Sequence, residues 1–283
     1  MPARRLCSHK DRLPKGLFDP LIQQENNPQK NDPQTSSLYP TQPAPLPHQV
    51  YIRPGFGWDE QKAYLFDIDG TLLRNRDRTH LEAFYEATRR VLGCELPFDR
   101  VKMQGNTDPG ILRDAFLLSQ REESLWQPAI EPILTEMRLY MAERHDQMQP
   151  VRMAGVEATL AHLAQRGAAL GVGTGNLASI GWLKIEKVGL RHWFSFGGFS
   201  DNAVLRADMI AQATELAREQ AGAEVTPCVV GDTVADISAA RANGLPTIAV
   251  ATGQQSFATL MEQEPEVCTS SLEALLAHSM EQK

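Results

Sequence analysis

The segment from residue 151 to 283 alternates short apolar runs with helical patterns, and this alternation constrains the fold more than any other feature of the sequence. Several helical patterns stop at a glycine, as 155–166 does before Gly167 and 177–188 does before Gly189. Parallel strands need a crossover between them, and a helix is the usual crossover. We therefore expect an α/β fold with a doubly wound, Rossmann-like parallel sheet.

A helical segment interrupts this pattern near its beginning. Residues 63–66 form an apolar run typical of a buried strand, and residues 79–150 after it carry helical patterns and no convincing strand. Ligands of open α/β sheets bind at the carboxyl ends of the strands, which is where this segment is inserted. We expect residues 59–78 and 151–283 to form the α/β core and residues 79–150 to form a helical cap over the site.

The first 58 residues differ in composition from the rest. They contain more than half of the 18 prolines and lack apolar periodicity. Such a segment cannot bury enough apolar surface to offset the entropy lost on ordering, so we expect residues 1–58 to be a disordered, proline-rich tail. Residues 40–47 favour the polyproline II conformation, and a docking segment for a partner is the alternative.

Charge and hydropathy exclude several classes of function. The chain has a net charge of −7 and lacks the basic footprint of a nucleic-acid-binding protein. No apolar run approaches the roughly 20 residues of a membrane-spanning helix, and no apolar h-region follows the first residues. We therefore expect a cytoplasmic protein that acts on a small molecule and binds neither nucleic acid nor membrane. Nothing in the sequence indicates an oligomeric state.

Two aspartates follow the first predicted strand. Asp67 and Asp69 come directly after its apolar run, and Gly70 and Thr71 then turn the chain. Paired carboxylates at the carboxyl end of a strand suit a hard cation such as Mg²⁺. They also suit a nucleophile that works beside an acid or base. A polar Asp-Gly turn without chemistry is the alternative.

A second pair of carboxylates follows the predicted strand at 227–230. Asp232 ends this strand, and Asp236 lies in the first turn of the next helix, where negative charge is favourable. Helix capping alone would explain one of these residues. Two strands that present carboxylates at the same sheet edge favour a metal site.

A third polar motif lies between these two pairs. Thr174, Gly175 and Asn176 follow the predicted strand at 168–173 and precede a helix. A hydroxyl beside backbone N–H groups at a helix N-terminus binds phosphate in many proteins. A plain turn and cap is equally compatible with this tripeptide.

Taken in order, these motifs resemble those of the haloacid dehalogenase superfamily, and the resemblance covers roughly residues 63–280. One such motif is weakly specific, whereas four in the same order at strand and helix ends are strongly so. The matching motifs are Asp67-x-Asp69-Gly70-Thr71, Thr174, Lys184 and Gly231-Asp232-x-x-x-Asp236.

The resemblance implies a Mg²⁺-dependent phosphatase that hydrolyses a small phosphate monoester through an aspartyl-phosphate intermediate. Asp67 would be the nucleophile, and Asp69 would protonate the leaving oxygen and then activate the water. The carboxylates of Asp67 and Asp232 would hold Mg²⁺ together with the backbone carbonyl of Asp69. Asp236 would bind the metal directly or through a water.

The resemblance also implies which residues bind the phosphoryl oxygens. Thr174 and Lys184 would bind them directly, and Lys187, three residues further on, is an alternative to Lys184. The other substrate-binding residues expected around the phosphoryl group are Thr71, Gly175 and Asn176.

The cap segment contains one polar turn, at residues 104–110. It is similar to a turn of phosphoglycolate phosphatase-like members of the superfamily, which implies that Thr107 and Asp108 contact the substrate. The alternative is a helix cap, with Thr107 or Asp108 as N-cap and Pro109 in the first turn.

Three other functions compete with phosphate-ester hydrolysis. A 2-haloacid dehalogenase would lack the second carboxylate of the first motif, because a halide leaves without a proton, so Asp69 argues against this activity. A phosphomutase, which passes the phosphoryl group to a sugar, remains open, although the cap turn favours hydrolysis. A non-catalytic scaffold that binds a partner through residues 1–58 is disfavoured because every candidate catalytic residue is present.

Overall fold

A twisted, mostly parallel sheet forms the centre of the structure, a computed structural model that describes residues 48–120 and 123–281. The strands are β1 (Val50–Ile52), β2 (Ala63–Phe66), β3 (Leu73–Asn75), β4 (Pro150–Arg152), β5 (Ala169–Gly173), β6 (Phe196–Gly198), β7 (Cys228–Gly231), β8 (Thr247–Val250) and β9 (Val267–Thr269). Seven of them form the central sheet in the order β1-β9-β8-β7-β2-β5-β6. All neighbouring pairs in it are parallel except β1 and β9.

Helices cover both faces of this sheet, as a doubly wound fold requires. The helices are α1 (Thr79–Leu92), α2 (Asp108–Leu118), α3 (Glu123–Trp126), α4 (Ile130–Glu143), α5 (Val156–Gln165), α6 (Ala178–Lys187), α7 (Arg206–Ala221), α8 (Val234–Ala242), α9 (Phe257–Met261) and α10 (Leu272–Glu281). Helices α5, α6 and α10 contribute to the core on one face, and α7 and α8 contribute to the core on the other. The predicted α/β fold with a parallel sheet is confirmed.

Strand β2 lies in the middle of the sheet between β5 and β7 and is completely buried. Its side chains alternate between faces: Tyr64 and Phe66 enter one core, while Ala63 and Leu65 enter the other. The backbone N–H of Asp67 still donates to the carbonyl of Val230 on β7, at 2.9 Å. Asp67 therefore leaves the sheet at its centre, from a rigid position.

Helices α1 to α4 form a separate layer over the carboxyl ends of the strands. They share an apolar core that includes Phe84, Phe116 and Met137, and this core also contacts Leu177 and Ile180 of the sheet domain. The antiparallel pair β3–β4 joins the layer to the sheet at its two ends. Before Pro150, the described part of this segment contains helices and no strand.

The structure differs from the sequence prediction at two edges of the sheet. Strand β1 and the buried Trp58 lie inside the segment 1–58 that we expected to be a tail, so that boundary was placed too late. Strand β1 pairs with β9, and the indole Nε1 of Trp58 donates to Ser279 Oγ at 2.6 Å. A three-residue edge strand after a proline-rich stretch leaves too short a pattern to detect. The rest of the predicted tail, residues 1–47, lies outside the described residues.

The other missed strand of the central sheet is β6, with the sequence Phe-Gly-Gly, and the two strands of the β3–β4 pair were not predicted either. Two glycines lower the strand propensity of this segment. The strand forms because β6 pairs with β5, where Gly171 leaves room for the ring of Phe196: a Cβ atom on Gly171 would lie 2.2 Å from that ring.

No helix within the described ranges has both the length and the apolar character needed to cross a membrane.

Candidate active site

Three strands deliver the predicted motifs to one cavity. Asp67 follows β2, Thr174 follows β5 and Asp232 follows β7, and these strands are neighbours in the sheet. The cavity has a volume of about 640 Å³ and lies between the sheet and the helical layer above it. Both parts contribute side chains to its wall, so a molecule bound there would be enclosed by two parts of the chain.

The floor of the cavity is a buried acidic cluster. One carboxylate oxygen from each of Asp67, Asp232 and Asp236 lies within 4.8 Å of the other two. Burial and the neighbouring carboxylates raise the pKa of Asp232 to about 8. Burial also raises the pKa of Asp67, to about 7, although the guanidinium of Arg206 opposes this change. The protein alone therefore does not compensate the charge of a fully ionised cluster, and without a cation Asp67 and Asp232 tend to keep a proton near neutral pH.

Arg206 is the cation of this cluster, and sequence reasoning missed it. Its Nη2 atom donates to Asp67 Oδ1 at 2.8 Å and to Asp236 Oδ1 at 2.5 Å, and its Nε donates to the same oxygen of Asp236 at 3.0 Å. The side chain is 8% exposed. Arg206 is the first residue of α7, and only the packing of this helix beside β5 and β2 brings it to the motifs.

The donor set of the cluster fits a hard divalent cation. When all three carboxyl groups are ionised, they carry three negative charges against the single positive charge of Arg206, and carboxylate oxygens are the ligands that Mg²⁺ prefers. The backbone also approaches closely, since a Cβ on Gly253 would lie 1.7 Å from Asp232 Oδ2 and one on Gly70 would lie 2.4 Å from it.

Asp236 also caps the start of helix α8. Its Oδ2 accepts hydrogen bonds from the backbone N–H and hydroxyl of Thr233, which form a capping box at the start of α8. Since Arg206 occupies Oδ1, every oxygen of Asp236 already has a protein donor. Asp232 is less occupied: among the described side chains, the hydroxyl of Thr71 donates to its Oδ1 atom, at 3.4 Å. Asp232 is therefore the more available carboxylate for a metal.

Asp69 lies at the other end of the cavity floor in a dense hydrogen-bond network. Its Oδ2 accepts from Lys184 Nζ at 2.7 Å and from Asn176 Nδ2 at 2.8 Å, and its Oδ1 accepts from Asn75 Nδ2 at 2.5 Å. Burial alone would raise the pKa of Asp69, but the Lys184 ammonium and these hydrogen bonds hold the pKa below its ordinary value. Asp69 is therefore a carboxylate at neutral pH in this arrangement.

The structure distinguishes Lys184 from Lys187. Lys184 is 1% exposed and lines the cavity, whereas Lys187 is 31% exposed and has Asp146 as its nearest acidic partner, at 3.9 Å. The sequence-based preference for Lys184 over Lys187 thus agrees with the geometry.

The predicted phosphate cradle before α6 is only partly open. Thr174, Gly175 and Asn176 line the cavity. The next two backbone N–H groups are taken, because Leu177 N donates to Asp108 Oδ2 at 2.9 Å and Ala178 N donates to Asp201 Oδ2 at 2.7 Å. The first N–H groups of this helix are therefore capped by carboxylates, and the Thr174 hydroxyl and the loop before the helix remain for a ligand.

Two predicted substrate-binding residues, Thr71 and Thr107, do not line the cavity, so the structure gives no support for a direct substrate contact by either. Thr71 is completely buried and supports Asp232. Thr107 is also completely buried: its hydroxyl accepts from Gly110 N as the N-cap of α2 and donates to the carbonyl of Val204 at 2.6 Å. The capping alternative describes Thr107 correctly. Asp108 does line the cavity, beside the turn, while its side chain caps α6.

Further cavity residues were absent from the predicted site. Their individual patterns give no signal, since each is a common surface residue type in a short strand, at a helix start or in a loop. They are Arg74, Asn75, His80, Gln104, Arg206 and Gln254.

Comparisons with known proteins show a family and two relatives that the chain resembles. The family model of haloacid dehalogenase-like hydrolases matches residues 64–250. The chain is 28% identical over 219 residues to a phosphoglycolate phosphatase of Agrobacterium fabrum, covering 75% of this chain and 89% of the relative. It is 28% identical over 231 residues to a probable phosphatase, IndB, of Dickeya dadantii, covering 76% and 93%.

Solved structures share the fold at low sequence identity. A hydrolase from Pseudomonas syringae superposes with a TM-score of 0.60 at 17% identity, covering 78% of this chain and 99% of that one. Since the family model matches residues 64–250, which is more than half of the chain and includes the helical layer and all four motifs, this chain belongs to the haloacid dehalogenase-like hydrolase family.

Proposed function

We propose that this chain is a Mg²⁺-dependent phosphatase that hydrolyses a small phosphate monoester through a phosphorylated Asp67. One observation carries the proposal: Asp67 and Asp69 face the same cavity, the first within a buried acidic cluster and the second in a network of amide and ammonium donors. The nucleophile and the acid/base therefore have different surroundings, as their different tasks require.

The two carboxylates would divide the reaction between them. A carboxylate oxygen of Asp67 attacks phosphorus, the bond between phosphorus and the ester oxygen breaks, and a proton from Asp69 goes to the leaving oxygen. Asp69, now ionised, takes a proton from water as the water oxygen attacks phosphorus. The bond between phosphorus and Asp67 then breaks, which releases phosphate and restores both groups. The low pKa of Asp69 in the ligand-free site favours the second half of this cycle, in which Asp69 accepts a proton. In the first half Asp69 must first bind a proton from solvent, which the negative charge of a phosphate ester beside it would favour by raising the pKa of Asp69.

Positive charge around the phosphoryl group would come from the chain and from the metal. Arg206 already contacts Asp67, and Lys184 contacts Asp69, so a phosphoryl group on Asp67 would lie between the two cations. Asp67, Asp232 and the carbonyl of Asp69 would hold Mg²⁺, which when bound neutralises phosphate charge that would otherwise repel a carboxylate nucleophile.

The helical layer, residues 79–150, would act as a cap that limits the size of the substrate and excludes water. It supplies the upper wall of the cavity, including His80, Met103, Gln104 and Ile111. The names of the two curated relatives support a phosphatase, and phosphoglycolate is the first substrate to test because one relative carries that name.

A substrate panel with and without Mg²⁺ tests the proposal. Wild-type protein and Asp67→Asn are incubated with an aryl phosphate, phosphoglycolate, sugar phosphates and nucleotides, and released phosphate is measured. We expect release that needs Mg²⁺ and is absent in Asp67→Asn. Activity that is equal in the two proteins would refute the nucleophile. A phosphoryl group recovered on a second sugar phosphate, with no free phosphate, would indicate a mutase.

A further inference from the structure

The ammonium group of Lys184 has one acceptor for each of its three protons. Two acceptors belong to the sheet domain: Asp69 Oδ2 and Asn176 Oδ1, each at 2.7 Å. The third is the Nδ1 atom of His80, at 3.1 Å, and His80 lies in the first turn of α1 in the helical layer. The hydrogen-bond acceptors of this buried lysine therefore come from both the sheet domain and the helical layer.

The contact fixes the tautomer of His80. An ammonium group only donates hydrogen bonds, so Nδ1 of His80 must offer a lone pair, and the ring proton must be on Nε2. Nε2 lies 3.3 Å from Asp108 Oδ2. The separation allows electrostatic attraction, but the geometry is not that of a hydrogen bond, and Nε2 has no hydrogen-bond partner among the described residues.

The position of His80 depends on how the helical layer packs against the sheet domain. Its ring packs against Phe84, with 5.4 Å between ring centroids, and its side chain is 20% exposed. The neighbouring turn is fixed to the sheet domain, since Asp108 N donates to the carbonyl of Gly175 at 2.8 Å and Asp108 Oδ2 accepts from Leu177 N. Because these hydrogen bonds hold the turn against the sheet domain, they also place His80 beside Lys184.

We propose that His80 is a positioning residue that the helical layer contributes to the reaction, where its Nδ1 atom holds Lys184 against Asp69. The inference rests on the proposed function. Without this acceptor, the third proton of Lys184 needs another partner, and only Asp69 and Asn176 remain to hold the ammonium group in place. His80 therefore acts on turnover through Lys184 and does not itself exchange a proton with the substrate.

Three histidine variants test the role by activity. His80→Phe keeps an aromatic ring against Phe84 but removes the acceptor, whereas His80→Asn keeps an acceptor, Oδ1, as many bonds from Cα as Nδ1. We expect His80→Phe to lower kcat at least about tenfold with little change in KM, which is the range for losing a hydrogen bond to a charged group. His80→Asn should recover most of the lost kcat. The matched control is His192→Asn, an exposed histidine outside the cavity.

A retained wild-type kcat in His80→Phe would overturn the proposal. Equal losses in His80→Phe and His80→Asn would also overturn it, because a merely structural residue is not rescued by an acceptor. Thermal melts of each variant verify folding.

A measurement of the ring itself separates this inference from the proposed function. Long-range ¹H–¹⁵N NMR of wild-type protein, assigned by difference from His80→Asn, reports which ring nitrogen carries the proton. We expect the Nε2–H tautomer with an accepting Nδ1, and a change in the Nδ1 resonance in Lys184→Met. An Nδ1–H ring, or no change in Lys184→Met, would contradict the contact. This readout holds even if the protein hydrolyses no phosphate ester, a result that would refute only the proposed function.

Discussion

Arg206 Nη2 lies 2.8 Å from the Oδ1 atom of Asp67, and the same nitrogen lies 2.5 Å from Asp236 Oδ1. One guanidinium thus joins the proposed nucleophile to a carboxylate at the start of α8. All three side chains are buried. The arrangement holds the nucleophile in place and supplies part of the positive charge that a phosphoryl group would meet.

Removing the charge of Arg206 should destabilise the metal-free protein. In Arg206→Met, Asp67 and Asp236 lose their shared cation and remain buried, which costs about 3–5 kcal/mol for a broken buried ion pair. Urea unfolding in EDTA measures the loss, and Mg²⁺ should reduce it by neutralising the same carboxylates. Arg218→Met is the control: Arg218 lies on the same helix and pairs with Glu215 at the surface, where we expect a change below about 1 kcal/mol. Similar losses in the two variants would contradict the role of Arg206.

The acidic cluster predicts how stability depends on pH. The pKa of Asp232 is near 3.8 in an unfolded chain and about 8 in the folded protein. Between these values the folded state binds more protons, so without metal the free energy of unfolding falls as pH rises from about 4 to 8. Asp232→Asn removes the part of this dependence that Asp232 contributes, while the raised pKa of Asp67 contributes in both proteins.

We therefore expect Asp232→Asn to gain Tm relative to wild type as pH rises from 5 to 8 in EDTA. In Mg²⁺ the order should reverse, since the variant lacks a carboxylate to bind the metal. Melting curves at several pH values measure both effects. A Tm difference that does not change with pH would contradict the raised pKa of Asp232.

Lys184 should set the pH dependence of turnover through Asp69. Its ammonium group opposes the effect of burial and keeps the pKa of Asp69 low, so Lys184→Met should raise that pKa. The limb of the pH–rate profile that reports Asp69 should move to higher pH, together with a loss of kcat. Lys187→Met, which changes a partly exposed lysine on the same helix, should keep the wild-type profile. If this limb of the pH–rate profile does not move in Lys184→Met, Lys184 does not set the pKa of Asp69.

Gly175, in the loop between β5 and α6, lies in close contact with the helical layer. A Cβ on Gly175 would lie 2.2 Å from the carbonyl oxygen of Asn106, a backbone atom that cannot move alone. We expect Gly175→Ala to lose about 1–3 kcal/mol of stability and most of its activity, because the turn at 104–110 must shift. A Cβ on Gly173 would lie 3.2 Å from a terminal methyl of Ile210, which can adjust, so Gly173→Ala should be milder. Equal effects of the two substitutions would contradict the view that the turn at 104–110 holds the helical layer against the sheet domain.

The parts of the site that were predictable from sequence share a local origin. Asp67, Thr174 and Asp232 each follow an apolar strand directly, and the carboxyl ends of parallel strands meet at one edge of a sheet. Local pattern and general topology are therefore sufficient to bring them together. The same reasoning gives the α/β fold and the helical character of the inserted segment.

The parts that were not predictable depend on tertiary packing. Arg206 and His80 lie in the first turns of helices outside the motifs, and no local pattern separates them from surface residues. Thr107 was assigned to the substrate although its hydroxyl is used by Gly110 and Val204, because a capping turn and a specificity turn have the same composition. Strands β1 and β6 were missed because three residues are too few to show a period.

The most direct test of the account is to trap the phosphorylated residue. Protein turning over an accepted substrate with Mg²⁺ is quenched and treated with borohydride, which reduces an aspartyl-phosphate to homoserine, and the modified peptide is sequenced by mass spectrometry. The account predicts homoserine at Asp67, absent without substrate. Sustained hydrolysis with homoserine at another aspartate, or with no homoserine at all, would contradict it.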